Sequence, residues 1–136
     1  MPTGKKQGKY RSGFENRACK MLSVSNISFQ YEPFKLSYII PESHHTYTPD
    51  IVLSNGIICE LKGYMDASTR KKMKMIVDQN PDKDIRMVFQ DSSVKITKRS
   101  KTTYAMWADK NGIKWGTVED MKYVWSKEPP SKTIKS

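Results

Sequence analysis

Two carboxylates and one amine flank a single predicted turn of the chain. Asp50 begins a run of apolar residues, and Glu60 and Lys62 end the next such run. The pair Asn55-Gly56 separates the two runs, and Asn-Gly between β-rich runs is typical of a hairpin. In such a hairpin Asp50 lies close to opposite Glu60, and Lys62 shares a face with Glu60 because alternate strand residues point to the same side. The pattern therefore predicts that the three charged groups converge at one end of a sheet.

This set of groups suits a hard divalent cation. Mg²⁺ prefers oxygen ligands and keeps several waters, so an open pair of carboxylates can hold it against a phosphate. A cation there lowers the pKa of a bound water, and a neighbouring lysine stabilises negative charge on the phosphate. The spacing Pro-Asp, nine residues, Glu-x-Lys is typical of metal-dependent nucleases. The alternative is a solvated strand face, where a Glu–Lys pair contributes about 0–1 kcal/mol. The triplet alone leaves both interpretations open.

Glu15 and the pair His44-His45 carry less specific signals. Glu15 stands three residues after Ser12, the spacing of a helix capping box, and local sequence favours that role. A carboxylate at a helix N-terminus can cap the helix and still reach outward. Adjacent histidines on a strand diverge, and no nearby cysteine or histidine completes a zinc site. We therefore interpret both histidines as loop residues near phosphate.

Length and composition indicate a small basic protein. The chain has 136 residues, which favours one compact domain, and its net charge of +10 indicates a polyanionic partner, most simply nucleic acid. No apolar run is long enough to span a membrane, and residues 1–11 lack the apolar stretch of a secretory signal. Cys19 and Cys59 are too few for a disulfide framework. They lie in apolar runs, so we expect buried thiols and a reducing, intracellular setting.

Basic side chains form several groups along the sequence. Each group alone is what a solvated surface would carry, but together they are a candidate phosphate-contacting surface. No zinc-finger, basic-zipper or RNA-binding aromatic pattern that would read bases is present. The candidate DNA-binding residues are Lys9, Arg11, His45, Arg70, Lys71, Lys72, Lys98 and Arg99.

Apolar periodicity and turn signals predict the elements that position these residues. Helices are expected at about 13–24, 67–79 and 103–110, the second capped by Asp66 or Ser68. Strands are expected at 27–31, 34–40, 50–53, 57–62, 85–89 and 94–97. The remaining segments are a flexible basic arm at 1–11, a polar connection at 41–49 and a disordered tail at 129–136. Residues 12–128 then form a single α/β domain with a mixed sheet flanked by helices.

Four stretches of the sequence carry a specific resemblance to a known family. They are Tyr10-Arg11-Ser12-Gly13-Phe14-Glu15, His45-Thr46-Tyr47-Thr48-Pro49-Asp50, Leu53-Ser54-Asn55-Gly56-Ile57 and Glu60-Leu61-Lys62-Gly63. These stretches resemble endonuclease I of the T-odd bacteriophages, the phage Holliday-junction resolvases. The resemblance continues to about Pro129, so it covers nearly the whole chain.

The resemblance implies a restriction-endonuclease-like core and a homodimer that exchanges segments near residues 41–48. Each active site would then be composite. Glu15 would come from one subunit, and Asp50, Glu60 and Lys62 would come from the other. All four catalytic side chains of the family are present in this sequence.

The resemblance also implies the ligands of the cation. Asp50, Glu60 and the backbone carbonyl of Leu61 would hold Mg²⁺, with Mn²⁺ as an alternative, and Glu15 would stand at a second metal position. One or two ions per site are expected, with no small-molecule cofactor and no membrane partner.

The expected function is that of a structure-selective endodeoxyribonuclease. It would resolve four-way DNA junctions by paired symmetric nicks, through in-line hydrolysis of phosphodiesters, in the cytoplasm of a phage-infected bacterial host. Two alternatives stay open. One is a homing or transposon-end endonuclease of the same fold, and the other is a basic DNA-binding protein without catalysis.

Overall fold

The computed structural model describes residues 12–40 and 43–135, which form an α/β structure. The strands are β1 (Phe29–Tyr31), β2 (Leu36–Ile40), β3 (Ser43–Tyr47), β4 (Ile51–Leu53), β5 (Ile58–Lys62), β6 (Ile85–Phe89) and β7 (Lys114–Gly116). The helices are α1 (Gly13–Val24), α2 (Ala67–Gln79), α3 (Tyr104–Lys110), α4 (Val118–Tyr123) and α5 (Lys132–Lys135), with a 3₁₀ turn at Trp125–Lys127. Among the described residues, no helix has the length and apolar character needed to cross a membrane.

Five of the strands form one mixed sheet in the order β1-β4-β5-β6-β7. The β1–β4 and β4–β5 pairs are antiparallel, whereas β5–β6 and β6–β7 are parallel. Parallel neighbours need a crossover connection, and α2 and α3 supply the two that this sheet requires. The separate antiparallel pair β2–β3 packs against α2. The predicted mixed sheet with flanking helices is confirmed.

Each face of the sheet is covered by helices and has its own apolar core. Met73 and Ile76 of α2 lie in one core together with residues of α3 and of the β2–β3 pair. Leu22 of α1 lies in the other, together with residues of α4. Cys19 and Cys59 are both buried, reduced thiols in this second core, as predicted. Burial raises the pKa of the Cys59 thiol, which therefore stays protonated.

Side-chain caps begin the helices where the sequence predicts them. The Ser12 hydroxyl accepts a hydrogen bond of 3.1 Å from the Glu15 N–H at the start of α1. At α2 the cap is Asp66, whose Oδ1 accepts from the Thr69 N–H at 2.8 Å. The carboxylate of Glu15 accepts a hydrogen bond from the buried Tyr31 hydroxyl.

The predicted hairpin at Asn55-Gly56 is present, with a loop one residue longer than the shortest hairpin turn. The Leu53 N–H donates to the Ile57 carbonyl at 2.9 Å, and the Gly56 N–H donates to the Leu53 carbonyl at 2.8 Å. Gly56 has a φ of 91°, a left-handed conformation that glycine adopts without strain. This is a type I turn followed by a glycine bulge, which is common in three-residue hairpin loops.

Two segments of the chain differ from the expected elements, and two short elements were not predicted. Residues 94–97 do not form a strand, because the segment folds into turns that leave a single bridge between Lys95 and Thr103. The expected connection at 41–49 contains β3, which pairs with β2 along its whole length. The sequence also left β7 and α4 unassigned, since both are short and the apolar pattern there is irregular.

The C-terminal residues lie against the tip of the β4–β5 hairpin, although the sequence favours a disordered tail at 129–136. The Asn55 Nδ2 donates to the carbonyls of Trp125 at 2.7 Å and Glu128 at 3.1 Å. The Ser131 N–H donates back to the Asn55 carbonyl at 2.8 Å. Arg86 of β6 binds the Glu128 carboxylate through both terminal nitrogens, at 2.8 and 2.9 Å. The hairpin is thus attached to the C-terminal segment at its tip.

We expect Asn55→Ala to destabilise the protein by about 1–3 kcal/mol, because two carbonyls lose a buried donor. Urea unfolding followed by tryptophan fluorescence measures the change. The matched control is Ser54→Ala in the same turn, at an exposed residue, where the free energy of unfolding should change by less than about 0.5 kcal/mol. Equal losses in the two variants would contradict a role for the Asn55 amide.

Candidate active site

The hairpin brings Asp50 and Glu60 together. Ile51 pairs with Cys59 in the antiparallel ladder, so Asp50 and Glu60 lie opposite each other one step further along. Both carboxylates are buried. The Lys62 ammonium lies 3.1 Å from Glu60 Oε2, on the face where the alternation of strand residues predicts it. The convergence that the spacing predicts is therefore found in the structure.

Two further carboxylates from the N-terminal part of the chain lie close to Asp50. Glu15 of α1 and Glu32, directly after β1, each offer an oxygen that lies within 4.8 Å of the others and of an Asp50 oxygen. Glu32 has a φ of 47°, and its N–H donates to the Asp50 carbonyl at 2.9 Å. All of these groups come from one and the same chain here. Oxygen donors at this spacing could hold a hard metal ion.

One oxygen of each of three carboxylates is held by a hydrogen-bond donor. The Tyr31 hydroxyl donates to Glu15 Oε1 at 2.7 Å. The Tyr47 hydroxyl donates to Glu60 Oε1 at 2.6 Å. The Leu61 N–H donates to Asp50 Oδ2 at 2.9 Å. These bonds limit the rotation of the carboxylates, and they offset part of the cost of burying negative charge.

The crowding of carboxylates changes how the site titrates. Burial, together with the charges of Glu60 and Glu15, raises the pKa of Asp50 from 3.8 to about 8. Burial lowers the pKa of Lys62, but the charge and hydrogen bond of Glu60, together with the charges of Asp50 and Glu15, raise it by more in sum, so the pKa lies above its ordinary value and Lys62 stays cationic. Burial and then the charge of Glu60 raise the pKa of Tyr47, whose hydroxyl therefore remains a donor. A bound cation would relieve the same repulsion, because it favours the ionised carboxylates.

The candidate DNA-binding residues are distributed over several places. Lys9 and Arg11 lie outside the described residues. His45 stacks on Tyr38 at 5.3 Å between ring centroids, in β3 rather than in a loop. Arg70 NH1 donates to the carbonyls of Met65 at 3.0 Å and Ile96 at 3.3 Å, so its guanidinium ties α2 to the following turns. The remaining candidates are exposed, namely Lys71, Lys72, Lys98 and Arg99.

Three residues of the site were missed by the sequence analysis. Tyr47 lies in the string His45-Thr46-Tyr47-Thr48-Pro49-Asp50, where its position two residues before the Pro-Asp pair was the available signal. Tyr31 and Glu32 stand at the end of a predicted strand, and their local sequence indicates only a turn before Pro33. Their approach to Glu15 depends on the pairing of β1 with β4, which no local pattern predicts.

The buried carboxylates beside a Glu-x-Lys pair on the central strand β5 fit the chemistry of a metal-dependent nuclease. The family of phage endonuclease I matches residues 2–135, so the chain belongs to this family and is an endonuclease. It is 44% identical over 125 residues to endonuclease I of Escherichia phage T7, an alignment that covers 92% of this chain and 83% of the relative. It is also 47% identical over 104 residues to endodeoxyribonuclease 1 of Enterobacteria phage T3, covering 76% of this chain and 68% of the relative.

In EDTA, the free energy of unfolding is expected to decrease as the pH rises between 3.8 and about 8 because of Asp50. Over that range the folded state, with its raised pKa, keeps a proton that the unfolded state has released. The slope from this one group is at most about 1.4 kcal/mol per pH unit. Asp50→Asn should remove the contribution.

Urea titrations in EDTA at a series of pH values measure this difference. The matched control is Asp82→Asn, at an exposed aspartate, which should keep the pH dependence of the wild type. If Asp50→Asn also kept the wild-type slope, Asp50 would not carry the raised pKa.

Proposed function

We propose that the chain is a metal-dependent, structure-selective endodeoxyribonuclease that resolves four-way DNA junctions by paired symmetric nicks. The observation that carries this proposal is the meeting of Glu15, Asp50, Glu60 and Lys62 at one edge of the sheet. DNA as the substrate is supported by the T3 relative, which is named an endodeoxyribonuclease. The net charge of +10 favours the same polyanion.

The donor set fits Mg²⁺, or Mn²⁺ in its place, because the oxygens that converge here are hard ligands and no sulfur or imidazole is among them. Asp50, Glu60 and the backbone carbonyl of Leu61 would hold one ion. Glu15 would stand at a second position, and the proximity of Glu32 makes it a further ligand there. The bound cation would supply an activated water and offset charge on the phosphate.

Within this mechanism Lys62 acts as a cation rather than as a base. Its raised pKa keeps the ammonium protonated at neutral pH, so it cannot take a proton from the attacking water. It can bind a non-bridging phosphate oxygen and stabilise the negative charge that grows during in-line displacement. Glu60, which holds Lys62 at 3.1 Å, fixes the position of that charge.

The proposed assembly is a homodimer with a restriction-endonuclease-like core in each half. Two sites related by a two-fold axis can cut two symmetric strands, and selection would then depend on branch shape more than on base edges. The β2–β3 pair lies outside the five-stranded sheet. In the sequence it stands between β1 and β4, two neighbouring strands of that sheet. Exchange of segments near residues 41–48 would bury further surface for a small core and make each site composite.

The proposed DNA surface surrounds this edge. The Nζ of Lys72 lies 6.0 Å from the centroid of the Tyr47 ring. Lys71, Lys98 and Arg99 are exposed, and the basic arm at 1–11 would add Lys9 and Arg11. His45 and Arg70 would also contact DNA, in addition to the contacts that they make within the fold. We expect the enzyme to act in the cytoplasm of the infected host.

We predict that Glu60→Ala reduces cleavage by more than about 100-fold. The loss should be this large because mutating a residue that only supports a metal ligand already lowers metal affinity or activity by about 10–100-fold. The substrates are an immobile four-way junction and a linear duplex of the same arms, in Mg²⁺ and in EDTA. Symmetric nicks in the junction alone, lost in EDTA and in the variant, are expected. Junction binding by Glu60→Ala should persist when measured by gel shift in Ca²⁺.

The control for this experiment is Glu119→Ala, which removes an exposed glutamate of α4 and should leave cleavage unchanged. Preference for one linear site over the junction would favour a homing or transposon-end endonuclease. Junction binding with no Mg²⁺-dependent product in the wild type would favour a binding protein without catalysis.

Segment exchange makes a separate prediction for mixtures of two inactive variants. If Glu15 comes from one subunit and Glu60 from the other, a heterodimer of Glu15→Ala and Glu60→Ala contains one intact site and one doubly altered site. Co-refolding equal amounts should restore up to about a quarter of wild-type nicking, as random pairing dictates. Each variant refolded alone is the control. No recovery in verified heterodimers would mean that each site forms within one chain.

A further inference from the structure

Two buried tyrosines contact the carboxylates of the site, and neither belongs to the set of residues proposed above. Tyr31 is 9% exposed and Tyr47 is 3% exposed. Each is the last residue of its strand, β1 and β3 respectively. The hydroxyl of Tyr31 binds Glu15 at 2.7 Å, and that of Tyr47 binds Glu60 at 2.6 Å. Both distances lie in the range of O–H···O hydrogen bonds.

The rings anchor these hydroxyls in the two cores. Tyr47 belongs to the apolar core on one face of the sheet, and Tyr31 belongs to the core on the other face. A packed aromatic ring has little rotational freedom, so its hydroxyl is a donor at a fixed point. The acidic site is thus held from both faces of the sheet by uncharged donors.

The contact at Glu60 fixes the orientation of its carboxylate. Tyr47 binds Oε1, while Lys62 lies 3.1 Å from Oε2. With both oxygens engaged by different partners, the carboxylate plane has one preferred orientation. Without the hydroxyl the carboxylate could turn toward Lys62 with either oxygen, and the approach of a cation to Glu60 would then carry an additional ordering cost.

We propose that Tyr47 and Tyr31 are positioning residues that orient Glu60 and Glu15 for cation binding. The proposal rests on the proposed function, because it takes these glutamates as ligands. Tyr47 has the larger role, since its partner Glu60 also holds Lys62. Neither tyrosine touches the substrate in this scheme, and each acts through its carboxylate.

The direct test is binding of Mn²⁺ to the DNA-free protein, followed by the loss of the free-ion signal in electron paramagnetic resonance. Tyr47→Phe removes only the hydroxyl, and we expect its Kd for Mn²⁺ to rise about 10–100-fold. The Mg²⁺ concentration for half-maximal cleavage should rise in parallel. The Kd for the four-way junction, measured in EDTA, should stay at the wild-type value.

Tyr104→Phe is the matched control for the loss of a buried tyrosine hydroxyl. Tyr104 is 1% exposed, and its hydroxyl accepts a hydrogen bond from the Met65 N–H at 2.9 Å. This variant should lose stability but keep the wild-type affinity for Mn²⁺. Tyr31→Phe is the second test variant, and it decides the outcome if Tyr47→Phe does not fold.

The outcomes separate the two proposals. Weakened Mn²⁺ binding in Tyr47→Phe or Tyr31→Phe, with Tyr104→Phe unchanged, supports the positioning role. If wild-type protein binds Mn²⁺, Glu60→Ala does not, and the folded tyrosine variants bind it as the wild type does, only the positioning inference is overturned. If wild-type protein binds no Mn²⁺, both this inference and the metal-dependent function are overturned.

Discussion

Glu15, Asp50 and Glu60 repel one another in a part of the protein that is largely shielded from water, and the neighbouring groups offset that repulsion. The Leu61 N–H, the two tyrosine hydroxyls and the Lys62 ammonium each bind one of the three carboxylates. The repulsion is only partly offset, because the pKa of Asp50 remains raised to about 8. In the proposed function this site would bind a cation before any substrate arrives, because a cation stabilises ionised carboxylates.

The local charge at the site and the net charge of the chain have opposite signs, and the two serve different steps. The net charge of +10 attracts a nucleic acid over distances comparable to the Debye length. The acidic edge would repel the same phosphates at close range unless a cation stood between them. In the proposed mechanism the metal ion therefore lies between the phosphate and the carboxylates, and it removes the repulsion between them. Arg86 of β6 forms ion pairs with Asp84, directly before the strand, at 2.9 Å and with Glu128 of the C-terminal segment at 2.8 Å.

The sequence predicts the parts of the site that depend on local order. The Asn-Gly turn and the alternation of strand residues place Asp50, Glu60 and Lys62 together, and Ser12 and Asp66 mark the starts of their helices. The parts that depend on distant pairing were not predictable in the same way. Tyr31 and Glu32 reach Asp50 only because β1 pairs with β4, some twenty residues further along the chain. The strand expected at 94–97 is absent: Val94 and Ile96 pack against the core, as an apolar pattern predicts, but the segment makes only the isolated bridge between Lys95 and Thr103.

The two tyrosine–carboxylate hydrogen bonds lie on opposite sides, in the sequence, of residues 41–42, which connect β2 to β3. Tyr31 and Glu15 both precede them, whereas Tyr47, Glu60 and Lys62 all follow them. Each contact therefore joins two residues of one continuous stretch of chain, although the pairing of β1 with β4 brings the first stretch to the second. The candidate site therefore has two parts along the sequence, one before residues 41–42 and one after them. If segments are exchanged as proposed, Tyr31 and Glu15 would come from one polypeptide and Tyr47 and Glu60 from the other, and neither hydrogen bond would have to break.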